Sequence, residues 1–397
     1  MRAALFVTAA LIAAPLAHAD DNNQYQGGNA TAVVNVQAGQ TQDAGATAVA
    51  SGNSGSATVV DDEEEIDSVQ HMDGDTSATA NATVWHASGN VAVTSAAVNN
   101  GATAIATEDS ELDVNSQQLN HGDARAETNF TGADAYNTAT TASASGNVGA
   151  VSLDHSDVAL ISSQESVGAI SADVEADHGY VADQAVSAAI ASANNLSVGG
   201  ETATVLLDST QTAGGNVSAR SDMYVGYATD ASGNATANAN STTIDNQWGY
   251  VNARINQSAD ANVQADSYVT LSDGFLGFGS AGAYGVGNQA TVSNVGSDTV
   301  VDVTQYNGGD FGANAALAGE SGDQALASAA AYGNSTTASL CAYCDNNVPS
   351  LTASNTQTND GGVNANATVV TARARMVAAT ATAIGNAATY QVSGPTN

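Results

Sequence analysis

The stretch TQYNGGDFGANAALAGESGDQALASAAAYGNSTTASL, Thr304 to Leu340, is either an unfolded low-complexity tract or one unit of a repeating fold. It contains no lysine, arginine, proline or cysteine, and small residues dominate it. Gln305 is followed four residues later by Gly309 and eight residues later by Ala313. The same frame recurs from Gln24, Gln70, Gln118, Gln164, Gln211, Gln257 and Gln357, with Ala261 replacing the glycine once. The glutamines are separated by 46, 48, 46, 47, 46, 48 and 52 residues, so eight units tile most of the chain. A fixed period of this size is the signature of a repeat architecture.

A second landmark follows most of the glutamines by about 29 residues: Gly-Asn preceded by alternating small residues. Its asparagines are Asn53, Asn90, Asn147, Asn234, Asn288, Asn334 and Asn386, with Asn194-Asn195 standing in for it in the fourth unit. Alternation marks the rest of the unit as strand. Six residues after each glutamine stand Ala30, Thr76, Ala124, Ile170, Val217, Val263, Phe311 and Val363, and two residues further on the residue is always Ala. Polar Ser, Thr, Asn and Asp fill most of the places between, so one face is apolar and the other polar. The glycines and Gly-Asn pairs are where the chain is expected to bend, since both tolerate φ > 0.

These features predict an all-β fold, a repetitive β-solenoid (β-helix) of about eight 47-residue repeats over residues 20–397, with strands of five or six residues. Stacked coils lie about 4.8 Å apart. Recurrent glutamine and asparagine then form amide ladders that satisfy their own donors and acceptors. If each repeat made two coils, sixteen coils would give a rod of roughly 75 Å. Proline agrees with a continuous ladder: between Asp20 and Pro395 only Pro349 occurs. An up-and-down membrane barrel would need aromatic girdles, which a chain with 5% aromatic residues does not supply.

Residues 1–19 read as a secretory signal peptide: Arg2, an apolar run, then Ala17-His18-Ala19. The mature chain is expected to be exported. The full sequence has a formal net charge of -34 and no lysine. Phosphate backbones and anionic lipid need Lys or Arg, so nucleic acid is excluded as a partner. Cys341 and Cys344, in CAYC, are a candidate disulfide in an exported protein. With Pro349 they are expected to lie in a loop extruded from the solenoid wall.

The chain offers little that reads as catalysis. The run DDEEEID supplies Asp61, Asp62, Glu63, Glu64 and Glu65 as a candidate Ca²⁺ site, set against a solvated turn. No other cofactor or metal is expected. His71, His86, His121, His155 and His178 have no metal-ligand spacing and read as surface or turn residues. Trp85, Trp248, Tyr180, Tyr224, Tyr227 and Tyr250 could serve a carbohydrate platform or simply be exposed aromatics. A polysaccharide-cleaving β-helix would need paired carboxylates or a base with a partner. No such constellation can be assembled, so the chain reads as not an enzyme. A free-standing glycan- or ice-binding rod would need aromatics or Thr-x-Thr at one fixed repeat position, and neither is kept.

The recurrent glutamine, the Gly-Asn positions and the Ala/Ser/Thr/Asn alternation resemble curlin-like secreted amyloid repeat proteins. With this longer repeat and full length, the chain is more similar to the holdfast attachment protein HfaD family. Curlin repeats are shorter and keep a spacing absent here. The resemblance implies an exported structural adhesin or anchor on the extracellular face of the outer membrane, serving cell adhesion and biofilm formation. It implies surface anchor proteins, an outer-membrane secretion pore and an adhesive holdfast polysaccharide as partners, and no catalytic residue. End coils expose unpaired backbone groups that invite a partner's strand or self-assembly. The segment GNAATYQVSGPTN near the C-terminus, with Arg373 and Arg375 beside it, is the candidate docking edge.

Overall fold

The computed structural model describes residues 21–275, 277–341 and 349–394, and they form an all-β chain. The expected signal peptide and Cys344 lie outside the described residues. The chain first lays down β1 (Asp21–Gln26), β2 (Ala30–Thr41) and β3 (Ala44–Val60). The pattern repeats with β4 (Glu63–Met72), β5 (Thr76–Ala87), β6 (Asn90–Thr107), β7 (Glu111–Asn120), β8 (Ala124–Ala135) and β9 (Asn137–Asp154). It continues with β10 (Asp157–Ser166), β11 (Ile170–Val181), β12 (Gln184–Glu201), β13 (Val205–Ala213), β14 (Val217–Tyr227) and β15 (Asp230–Gln247). Next come β16 (Val251–Ala259), β17 (Val263–Leu271) and β18 (Phe278–Val295). In the last two passes a short strand, β19 (Thr299–Asn307) or β21 (Leu351–Asn359), precedes one 31-residue strand, β20 (Phe311–Cys341) or β22 (Val363–Ser393).

Pairing is parallel throughout the named strands, and each partner lies one repeat along the chain. Gln24 pairs with Gln70, Gln118 with Gln164, and Gln305 with Gln357. An eight-stranded sheet runs β1-β4-β7-β10-β13-β16-β19-β21. A 14-stranded sheet runs from β2 through every middle strand to β20, then back through every long strand to β3. It doubles back because β20 spans both positions without a break, and β22 pairs along its length. Partners one whole repeat apart leave no room for two coils per repeat. The strands are also longer than the five or six residues expected, most having between 9 and 18.

The bends differ in kind from the expectation. At Gly52, Asn99, Gly146, Ala193, Ala239, Gly287, Gly333 and Gly385 the parallel register skips one residue at every level, so the strand bends there. None of these glycines has positive φ. Gly52 is needed for close approach: a Cβ would sit 2.6 Å from the Asn99 carbonyl and 2.6 Å from Met72 sulfur. Among the described residues left-handed backbone occurs instead where the long strands β3, β6, β9, β12, β15 and β18 return to short ones, at Asp61, Glu108, Asp109, His155, Thr202, Trp248 and Gly296, and at Gly274 between β17 and β18. Stacked backbone bonds hold these corners, for example Asp61 N–H to Thr107 C=O at 3.2 Å and His155 N–H to Glu201 C=O at 2.9 Å. Asp61, Asp109 and His155 are of the types enriched in this conformation and Gly296 adopts it freely, whereas β-branched Thr202 and bulky Trp248 are outliers.

The core forms two apolar columns. One is built from middle strands facing the first halves of the long strands, rich in Ala and Val, with Phe130, Ile170 and Phe311 at single levels. The other lies between short strands and the second halves of the long strands, and holds Ile66, Leu112, Leu160, Leu207 and Ile255. Full burial of a Val, Leu or Ile is worth about 1.5–3 kcal/mol. Alanine contributes less, so the chain relies on many small increments.

Candidate functional site

Between the two columns run two files of buried amides. In the glutamine file each side chain reaches back one level. Gln70 Nε2 donates to Gln24 Oε1 at 3.3 Å and to the Gly101 carbonyl at 2.8 Å. From Gln118 to Gln357 the amide–amide distances are 2.7–2.9 Å. Each glutamine also donates to a carbonyl of its own coil's long strand, as Gln118 does to Val148 at 3.0 Å.

The asparagine file has the opposite direction. Asn53 Nδ2 donates forward to Asn100 Oδ1, and the series continues through Asn147, Asn194, Asn240, Asn288, Asn334 and Asn386 at 2.7–2.8 Å. The same nitrogens donate to short-strand carbonyls at 2.7–2.9 Å, from His71 for Asn53 to Thr358 for Asn334. Those carbonyls fix which end of each amide is nitrogen, and so fix the direction of the file. Asn90 and Asn234 do not belong to it. Asn90 sits at the start of β6 and accepts from Asn137 at 3.0 Å, and Asn234 bonds to Ser232 at 3.2 Å. Asn100 and Asn240 take the buried places because distance from the glutamine, not the Gly-Asn dipeptide, sets the register.

The files end unmatched. Among the described residues nothing donates to Asn53 Oδ1, and Gln24 makes one donor bond, to the Ser54 carbonyl at 2.8 Å. At the other end, among the described residues, no donor reaches Gln357 Oε1, and Asn386 Nδ2 has only the Gln357 carbonyl at 3.5 Å. Apolar side chains are half-buried at both ends, Val34 and Val36 at one and Val363 and Val369 at the other. Of the arginines beside the last edge, Arg375 pairs with Asp323 at 2.7 Å.

A second grouping lies at the ends of β1 and β4 and on the turns that follow β4 and β7. His71 Nε2 is 2.8 Å from Asp73 Oδ1, His121 Nδ1 is 3.0 Å from the same oxygen, and the two ring nitrogens are 3.2 Å apart. Tyr25 Oη donates to Asp73 Oδ2 at 2.8 Å. Hydrogen bonds from Tyr25 and then His121 hold the Asp73 carboxyl below the usual range. Sequence spacing did not reveal this, since His71 and His121 are 50 residues apart.

The other singled-out residues are dispersed. Asp61 lies on an open depression with Glu108, Asp109, Asp154 and His155. Asp62 caps Glu63 N–H at 2.9 Å, and Glu63, Glu64 and Glu65 alternate sides along β4, so the five acids do not converge. His86 and His155 pair with Asp134 and Asp154, both at 2.7 Å. His178 is not a surface residue: it is 1% exposed and packs on Phe130, because its place in β11 points into the core file of Val84, Gly132 and Val225. Tyr180 and Tyr227, one level apart, stack with centroids 5.3 Å apart. Trp85, Trp248 and Tyr224 are exposed apart from that pair, and Tyr250 is half-buried. Cys341 ends β20.

The sequence model of the family described as holdfast attachment protein D matches residues 38–310, more than half of the chain. No curated protein and no solved structure matches.

Proposed function

Since the chain belongs to the holdfast attachment protein D family, we propose that it is a secreted structural anchor fastening an adhesive holdfast polysaccharide to the outer face of the envelope. Family membership gives it a role in holdfast attachment; the mechanism is our reading. The chain is a β-solenoid with one coil per repeat of about 47 residues. Eight coils make seven steps of about 4.8 Å, or roughly 34 Å of stacked ladder. It acts without catalysis, by adding partner subunits or further copies of itself to its end coils.

The observation that carries this is the unmatched pair of amide files. Gln24 to Gln357 and Asn53 to Asn386 are both 333 residues (357 − 24 and 386 − 53). A first coil set on a last coil would therefore meet both files in register, Gln24 N–H on Gln357 Oε1 and Asn386 N–H on Asn53 Oδ1. The buried amides bond to one another along the stack, which supports reading them as structural supports of an anchor. Ca²⁺ along Asp61 to Glu65 would relieve self-repulsion in so acidic a chain, and a Ca²⁺-dependent shift in sedimentation would measure it.

The test is made in cells. Deleting Ala381 to Asn397 is expected to leave secretion intact but release the protein and its polysaccharide into the medium. The double variant Gln357→Leu, Asn386→Leu keeps the coil's length while removing its two unmatched amides, and should do the same. Normal retention of both proteins would overturn the mechanism.

A further inference from the structure

We propose that His71, Asp73 and His121 form a binding site for a divalent transition metal of the Zn²⁺ class, with its fourth position open to solvent. The three side chains come from two adjacent levels. His71 lies near the end of β4, Asp73 in the turn after it, and His121 in the corresponding turn after β7. The turns are fixed by backbone bonds, Asp73 N–H to Gln26 C=O at 2.9 Å and His121 N–H to Met72 C=O at 2.8 Å.

The ligand atoms form a triangle with edges of 2.8, 3.0 and 3.2 Å. In a tetrahedral zinc site, bonds of about 2.0–2.1 Å place neighbouring ligand atoms about 3.3 Å apart. The triangle needs to open by only a few tenths of an ångström to become one face of such a tetrahedron. Hydrogen bonding satisfies it poorly. If one ring nitrogen donates to the other, the acceptor nitrogen turns its lone pair toward the carboxylate. If both donate to Asp73 Oδ1, two N–H groups stand side by side. A cation at the centre takes one lone pair from each atom.

The donor set selects the ion. Imidazole with a single carboxylate suits Zn²⁺ and its neighbours, whereas Ca²⁺ and Mg²⁺ take oxygen ligands. Tyr25 Oη holds Oδ2 of Asp73 and leaves Oδ1 for the metal, the kind of support that ligating carboxylates receive in metal sites. His71 packs edge-on against Tyr25 and against His121, with interplanar angles of 85° and 87°, which fixes the ring. A bound ion would clip the second and third coils together at a corner, and through Tyr25 reach the first.

The experiment titrates the metal-free full chain with Zn²⁺ in a calorimeter, and separately follows Co²⁺ by visible absorption. One Zn²⁺ per chain is expected, with the intense bands of four-coordinate Co²⁺. His121→Ala should abolish the site and Asp73→Asn should weaken it at least tenfold. His155→Ala, in the acidic depression, should leave it unchanged. Circular dichroism of each variant checks that the coils remain. Equal Zn²⁺ binding by wild type and His121→Ala would mean that carboxylates hold the ion diffusely, and would overturn the proposal. So would the absence of Zn²⁺ binding, or the faint bands of six-coordinate Co²⁺ in the wild type.

Discussion

His178 is a histidine in a place built for an aliphatic side chain. Neither ring nitrogen has a partner among the described residues, and burial pushes its pKa down to about 3. In the unfolded chain this histidine titrates at its ordinary value of 6.5, so between these values the unfolded chain binds more protons than the folded chain. Stability is therefore lost as pH falls through that window, at up to about 1.4 kcal/mol per pH unit from this one group. Replacing it removes that slope. In urea unfolding of wild type and His178→Leu, the variant should gain on the wild type steadily below about pH 6; parallel curves would mean a solvated ring. The asparagines give a second residue-scale prediction. Asn100→Ala strands amide groups on Asn53 and Asn147 and should cost about 2–4 kcal/mol, whereas exposed Asn90→Ala should cost under about 1 kcal/mol. Denaturant midpoints measure both. Sequence reading placed the second-repeat landmark at Asn90 because it searched for a dipeptide. Gln70 to Asn100 spans 30 residues, in line with the 29 from Gln24 to Asn53, and that spacing was available to find it.

At the scale of elements, the glutamine file shows why the repeat was legible. A buried amide with no partner is costly, so a glutamine at one level obliges the next level to supply another. Breaking the file in its middle should therefore hurt more than breaking it at its end. Gln164 donates to Gln118 at 2.7 Å and to Asn195 C=O at 3.1 Å, and accepts from Gln211 at 2.7 Å. Gln164→Leu should cost about 2–4 kcal/mol and Gln24→Leu under about 1 kcal/mol, read from chemical denaturation. Strand length was not legible. Each Gly-Asn reads as a bend between short strands, yet β20 and β22 run through theirs unbroken, because a register skip can bend a parallel strand without leaving the β region. The histidine–aspartate triangle was hidden for a related reason. Its members are 2 to 50 residues apart, and that distance becomes adjacency only when one coil is known to take 46 to 52 residues.

For the molecule as a whole, each level touches mainly the levels above and below. Stability is then close to a sum of nearest-neighbour terms, and the two ends have half the support of the middle. Amide hydrogen exchange should show the weakest protection in β1–β3 and β21–β22 and the strongest in β10–β15. Uniform protection along the chain would mean all-or-none unfolding. The charge of -34 acts on every level at once. Screening at higher salt should therefore raise the denaturation midpoint. The opposed directions of the two amide files bear on symmetry. Each end face carries one donor and one acceptor, the last coil a glutamine acceptor and an asparagine donor, so donor–acceptor matching alone permits both a twofold meeting of like ends and a first-on-last contact. First-on-last contact is heterologous and, without a rotation that closes a ring, has no built-in stopping point. The length of a chain grown by first-on-last contact would have to be set from outside, by supply or by a different protein at one end.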